Sequence, residues 1–233
     1  MALSETLTDV YRRLLERYGP QHWWPAESPF EVMVGAVLTQ SAAWHNVEQA
    51  ISRLKAAGAL TPAAIRSTPQ EELASLVYSS GYYNAKARKL KTLARYLGER
   101  FDDDIDAMSR EDPASLRAEL LDVHGIGEET ADDILLYAAG APVFVIDAFT
   151  RRLVDRLGIA PPEASYSGYQ ALFEEALPAV AEMFGEYHAL IVAVVKDACR
   201  KEPRCAGCCL LEVCPTGKAR AAARGPSPEA GVG

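Results

Sequence analysis

Five cysteines fall between positions 199 and 214, and the rest of the chain has none. Four of them are spaced Cys199-x5-Cys205-x2-Cys208-x5-Cys214, which puts four thiolates within sixteen residues. A secreted disulfide scaffold would spread its cysteines along the sequence. Four thiolates in so short a run can instead wrap one metal centre. Cys209 breaks the regular spacing and is read as a non-ligand. A structural zinc held by four cysteines is one occupant of such a loop. Zinc ribbons, however, usually carry two separated C-x2-C pairs. One compact loop with a single C-x2-C better suits a 4Fe-4S cluster, held by Cys199, Cys205, Cys208 and Cys214. Arg200, Lys201 and Arg204 lie in the same loop and would offset the cluster's negative charge or meet phosphates.

The rest of the chain reads as nearly all helix. In "LSETLTDVYRRLLERYG" the residues Leu7, Val10, Tyr11, Leu14, Leu15 and Tyr18 share one face. "SPFEVMVGAVLTQ" is an apolar helix with Ser28 as its cap and Glu31 three residues on, a capping-box pattern. "AAWHNVEQAISRLKAAG" should end at Gly58. "TPAAIRS" and "TPQEELASLVYSSG" each place a Thr cap before Pro at the first helical position. "NAKARKLKTLARYLGERF" is an amphipathic basic helix carrying Lys86, Arg88, Lys89, Lys91 and Arg95. "PVFVID" is read as a buried extended link rather than a strand. The chain after Thr216 is rich in Gly, Ala and Pro and is expected to be disordered.

Between the helices "AELLDV" and "EETADDILL" stands Gly125-Ile126-Gly127. Two glycines spaced by one residue let backbone approach backbone closely. The N–H groups that open the second helix could then face a phosphate, or a cation bridging to one. A plain tight turn is the alternative. The carboxylates that follow have a simple reading too. Glu128 and Glu129 favour the helix dipole, and Asp132 and Asp133 read as a solvated face.

The chain has 233 residues, room for one large domain or two small intertwined ones. Its formal net charge of −8 argues weakly against nucleic acid as a partner, because phosphate binding needs local Lys or Arg, though a basic stripe can coexist with an acidic back. No signal peptide or long apolar run is visible, so a cytoplasmic, nucleoid-associated protein with no membrane partner is expected.

The hairpin "LLDVHGIGEETADDIL", the segment "VFVIDAFTRRL" and the terminal cysteine loop, in this order, resemble the endonuclease III family of DNA base-excision glycosylases. The resemblance covers residues 26 to 214. It is specific because the motifs occur together. The cysteine loop is one residue shorter than the family's between the first two cysteines. The family implies an all-α fold of two helical lobes flanking a DNA-binding cleft. One is a six-helix barrel with the helix-hairpin-helix, residues 26–138. The other is an iron–sulfur lobe made of residues 1–25 and 139–215, leaving 216–233 as the tail. The implied partner is double-stranded DNA containing a damaged base, bound by a monomer.

The resemblance places the catalytic aspartate at Asp147. It matches Gln40 in "AVLTQSA" and Tyr82 in "GYYNAKARKL" to side chains that enter the duplex when the base leaves the stack. Gly125, Gly127, Lys201 and Arg204 would contact DNA. One position departs from the family. Bifunctional members carry lysine at the second position after the G-x-G, where it forms a Schiff base with the sugar. Here that position is Glu129, and a carboxylate forms no imine. A monofunctional glycosylase is therefore expected; a glycosylase/lyase using another amine and a non-catalytic DNA binder are the alternatives. "LTQSAAWHNVEQA" is similar to the 3-methyladenine-glycosylase branch. With Trp44 near the base, an alkylated cationic purine is the expected substrate, because aromatic faces attract cations.

Overall fold

The computed structural model describes residues 2–223, all of whose regular structure is helical. The chain divides into two compact units. One is Trp24–Val145; the other joins Met1–Trp23 to the chain from Ile146 onward.

The first helix, α1 (Leu3–Tyr18), buries Leu7, Val10 and Leu14, the centre of the face read from the sequence. Then comes α2 (Pro29–Thr39), apolar and almost wholly buried. Ser28 caps it, its hydroxyl accepting from the Glu31 N–H at 3.2 Å. The return half of the capping box is displaced by one residue. The Glu31 carboxylate accepts from the Glu27 N–H at 3.0 Å and pairs with Lys55 at 2.9 Å. The next helix, α3 (Trp44–Ala56), stops just before Gly58, whose φ is +63°.

Two short helices follow, α4 (Pro62–Ser67) and α5 (Gln70–Leu76). Thr61 caps α4 as its Thr-Pro pair implies. The second Thr-Pro behaves differently, and α5 begins without a side-chain cap. Thr68 closes α4 instead, its hydroxyl donating to the Ala64 carbonyl at 2.8 Å. With only two residues between the helices, that hydroxyl satisfies the end of one rather than the start of the next.

The long basic helix α6 (Tyr83–Phe101) does not spend all its charge on solvent. Lys86 is buried, and its ammonium donates to the carbonyls of Leu38 at 2.8 Å and Ser80 at 2.6 Å. Burial, and then the neighbouring charge of Lys89, pull its pKa down to about 8. Lys91 likewise donates to the carbonyls of Arg66 and Thr68. Arg88 and Arg95 stay exposed.

After α7 (Ile105–Met108) come the hairpin helices α8 (Pro113–Asp122) and α9 (Glu128–Asp133). The latter runs on into a π-turn, Ile134–Ala138. One apolar core joins them to α2, α3 and α6 through Leu116, Leu120, Ile126, Ala131, Ile134 and Leu135.

In the other unit are α10 (Ala148–Leu157), α11 (Tyr166–Glu174) and α12 (Ala181–Asp197), and α12 packs against both α1 and α10. Tyr187 sits at their centre. Its ring meets Tyr11 and Phe173 edge-on, and its hydroxyl donates to the Leu7 carbonyl at 2.9 Å. The segment expected to be a disordered tail begins as helix α13 (Pro215–Ala223). Pro215 starts it and alanines continue it, both favourable there. Residues 224–233 of that expected tail lie outside the described residues. Among the described residues, no helix is long and apolar enough to cross a membrane.

Candidate functional site

The hairpin turn is built around one left-handed residue. Gly125 has φ +92°, and a Cβ there would lie 2.4 Å from Cγ of Lys89. The Lys89 stem therefore lies flat on the turn, and its ammonium donates to Oε1 of Gln40. Gln40 then donates from Nε2 to the Gly125 carbonyl at 3.1 Å and to the Thr130 hydroxyl at 2.9 Å. The structure thus places Gln40 as a brace on the hairpin. Gly127 is different, with extended backbone and open space where a Cβ would go.

This contrast gives a prediction. Gly125→Ala forces a side chain into the left-handed region and displaces Lys89, costing about 1–3 kcal/mol. Gly127→Ala should melt within about a degree of the parent, since a site without strain or contact costs only tenths of a kcal/mol. Thermal melts of the two variants check it; equal losses would contradict this account of the turn.

Not all of the hairpin's carboxylates face solvent. Glu128 and Glu129 are exposed in the first turn of α9. Asp132 and Asp133, read from the sequence as solvated, are buried. Asp132 has no exposed surface, and its Oδ1 accepts from Arg117 Nε on α8 at 2.7 Å. The pair ties the two hairpin helices together.

Tyr82 is 75% exposed and has φ +46°, unusual for a bulky side chain. Such strain persists only where the surroundings impose it. Lys86 supplies part of that constraint by holding the Ser80 carbonyl just before the turn. Trp24, Trp44 and Tyr137 form a half-buried cluster in the same unit. Trp24 meets the other two rings edge-on, at 5.6 and 5.4 Å between centroids. Sequence reasoning named Trp44 and missed its two neighbours, which lie 20 and 93 positions from it.

Asp147 ends the buried run Phe144–Val145–Ile146 and caps α10, its Oδ1 accepting from the Thr150 N–H at 2.6 Å. The side chain is only 13% exposed, and Oδ2 lies 3.7 Å from Nε2 of His188 on α12. Burial pushes the carboxyl up, but the contact and charge of His188 and the Thr150 N–H outweigh it. The net direction is below the usual aspartate value. Sequence reasoning did not find His188. Its signal was a lone ionisable residue in the apolar run "HALIVAVV".

Cys199, Cys205, Cys208 and Cys214 line one pocket with Leu153, Leu210 and Leu211. Cys209 is not part of that lining. Arg156 crosses from α10 to the loop, donating to Cys199 Sγ at 3.2 Å and to the carbonyls of Cys199, Arg200 and Lys201. The Gly217 N–H donates to Cys214 Sγ at 3.3 Å. Among the described residues, no three His, Cys, Asp or Glu side chains close on a point as around a single ion. Lys201 and Arg204 are exposed on the loop.

The profile of the HhH-GPD superfamily of base excision DNA repair proteins matches residues 34–179. A relative in Methanocaldococcus jannaschii, named as a DNA repair glycosylase, is 43% identical over 211 residues, 90% of this chain and 96% of its own. Endonuclease III of Thermotoga maritima is 26% identical over 212 residues, 89% and 92% of the two chains. Among solved structures, an endonuclease III trapped covalently on DNA matches in fold with a TM-score of 0.81 at 24% identity, over 95% of this chain and all of that one. The H. pylori 3-methyladenine DNA glycosylase, bound to 1,N6-ethenoadenine, gives 0.73 at 28% identity, over 84% and 98% of the chains.

Proposed function

The chain belongs to the HhH-GPD superfamily of base excision DNA repair proteins, and from that membership we propose a monofunctional glycosylase that removes alkylated bases from duplex DNA. That it is a DNA glycosylase of the endonuclease III type follows from its family. The observation that carries the finer reading is the state of Asp147. It is a buried carboxylate fixed at a helix start and held below the usual aspartate pKa by His188 and the Thr150 N–H, while Glu129 matches the position of the family's amine.

A carboxylate so held suits the chemistry. Breaking an N-glycosidic bond builds positive charge on the sugar, which a nearby carboxylate stabilises. Water bonds to the anomeric carbon and gives up its proton to that carboxylate. The carbon–nitrogen bond breaks, and its electron pair leaves with the base. An alkylated purine already carries positive charge, so it departs neutral and needs no proton donor. The ring faces of Trp24, Trp44 and Tyr137 suit a flat cation. The exposed, strained Tyr82 suits a wedge in the stack. Gly127, Lys201 and Arg204 offer a backbone N–H and two cations to phosphates.

Cys199, Cys205, Cys208 and Cys214 would hold a 4Fe-4S cluster. Four cysteines around an apolar pocket, with N–H donors aimed at two of the sulfurs, fit it better than a tetrahedral zinc. Such a cluster would supply a rigid, charged anchor for the loop.

The test is incubation with alkylated duplex DNA, scoring strand breaks with and without hot alkali. Breaks only after alkali are expected. Breaks without alkali would contradict the monofunctional reading, and none in either would remove the alkylated substrate. Purified protein should absorb visible light and release iron and sulfide; colourless protein containing zinc would overturn the cluster.

A further inference from the structure

Asp147 has a partner that no motif of the sequence singles out. His188 lies on the seventeen-residue helix α12, among Phe184, Leu190, Ile191 and Val194, all buried. Its own side chain is 8% exposed. An imidazole in such a setting loses solvation and needs a reason to be there. Its Nε2 lies 3.7 Å from Asp147 Oδ2 where α10 packs on α12. The other carboxylate oxygen is already taken by the helix cap. One oxygen thus accepts a hydrogen bond, and the other lies at ion-pair distance from the imidazole.

We propose that His188 is a positioning residue for Asp147, which holds the second carboxylate oxygen in place and sets the charge of the group that acts on the sugar. The inference rests on the reading of Asp147 as the catalytic carboxylate. A buried aspartate capped by one N–H could still take up a proton and lose its use. The imidazole beside it opposes that protonation and fixes the rotamer at the same time.

Most of the other ionisable groups described on the packed elements are engaged elsewhere. On α10, Asp155 accepts from the Tyr169 hydroxyl at 2.6 Å, and Arg151 lies over the Tyr166 and Tyr169 rings. Arg152 lies over the Phe149 ring, and Arg156 holds the cysteine loop. On α1, Asp9 pairs with Arg12 and Arg13, Arg13 also reaches Glu212, and Arg17 lies over Tyr18. On α12 itself, Glu186 accepts from the Gln21 N–H and Asp197 from the Tyr18 hydroxyl. Lys196 and Glu182 sit at the two ends of that helix, and Glu174 closes α11. The side chains that act on Asp147 are His188 and Thr150.

The experiment is single-turnover excision from methylated duplex DNA across pH, with the wild type, His188→Gln, His188→Ala and Asp147→Asn. Circular dichroism and melting at each pH monitor the fold. His188→Gln keeps a hydrogen-bonding group that cannot take up a proton. It should excise within about threefold of the wild type at its alkaline plateau. On the acid side its activity should fail at a pH higher by about one unit or more, a tenfold deficit there. A role confined to folding would lower the rate equally at every pH, and that result, or coincident acid limbs, would overturn the proposal.

If both His188 variants fail to fold, NMR titration of the Asp147 carboxyl carbon in the wild type decides. That signal is identified by its loss in Asp147→Asn. A transition below that of free aspartate supports the proposal, and one at or above it overturns it. Undiminished excision by Asp147→Asn would mean instead that the catalytic reading is wrong, whatever His188 does.

Discussion

Asp147→Asn is expected to abolish base excision and spare the fold. Asparagine caps a helix about as well as aspartate, so the bond to the Thr150 N–H survives the change. What disappears is the negative charge. A positioned acid or base group contributes on the order of 10²–10⁴-fold in rate, so single-turnover excision should fall on the order of a thousandfold. The substitution therefore separates two roles the residue holds at once. If Asp147 served only as a cap, the variant would excise normally.

The pH dependence of stability gives an independent check. The folded-state carboxyl is held below its ordinary value, so it contributes stability that is present above the unfolded aspartate pKa of about 3.9. That contribution is lost as pH falls through the lower folded value. The wild type should melt higher than Asp147→Asn at neutral pH, and the gap should close toward strong acid. A gap independent of pH would mean that the charge of Asp147 is not coupled to folding.

What could be read from the sequence divides along a physical line. The cysteine loop was legible because its four sulfurs lie within sixteen residues, so spacing alone brings them to one pocket. Helix starts at Ser28 and Thr61 were legible because a cap acts three residues away. Thr68 was not, since its hydroxyl had two helix ends within reach and composition does not say which wins. Asp132 looked like one more solvated acid until α8 brought Arg117 against it. Lys86 and Lys91 looked like two more charges of a basic helix until the turns around them supplied carbonyls to bind. His188 is 41 positions from Asp147, and nothing in either local sequence announces the other. Local chemistry is written in local sequence, and pairs closed by tertiary packing are not. The candidate site needs both kinds of residue.

Glu129→Lys is the second substitution with a large expected effect, because it changes the kind of product. A carboxylate at this position forms no imine with the sugar, so the proposed enzyme ends with an intact strand at an abasic site. Glu129 is exposed in the first turn of α9. Its replacement gives up an acid at a helix start, about 0.3–1 kcal/mol. The introduced amine would bond to the anomeric carbon as the base departs and lose a proton; the C1′–O4′ bond of the sugar ring then breaks, its electron pair going to O4′, which takes up a proton, and the C=N bond of an imine forms. Elimination of the 3′-phosphate from that imine breaks the strand without alkali. Borohydride added during turnover should capture the imine as a stable protein–DNA adduct, absent from the parent protein. Adduct formation by the parent itself would mean that another amine already serves, and Glu129 would lose its meaning as the mark of a monofunctional enzyme. Absence of adduct in the lysine variant, with excision intact, would mean that this turn does not carry position 129 to the sugar.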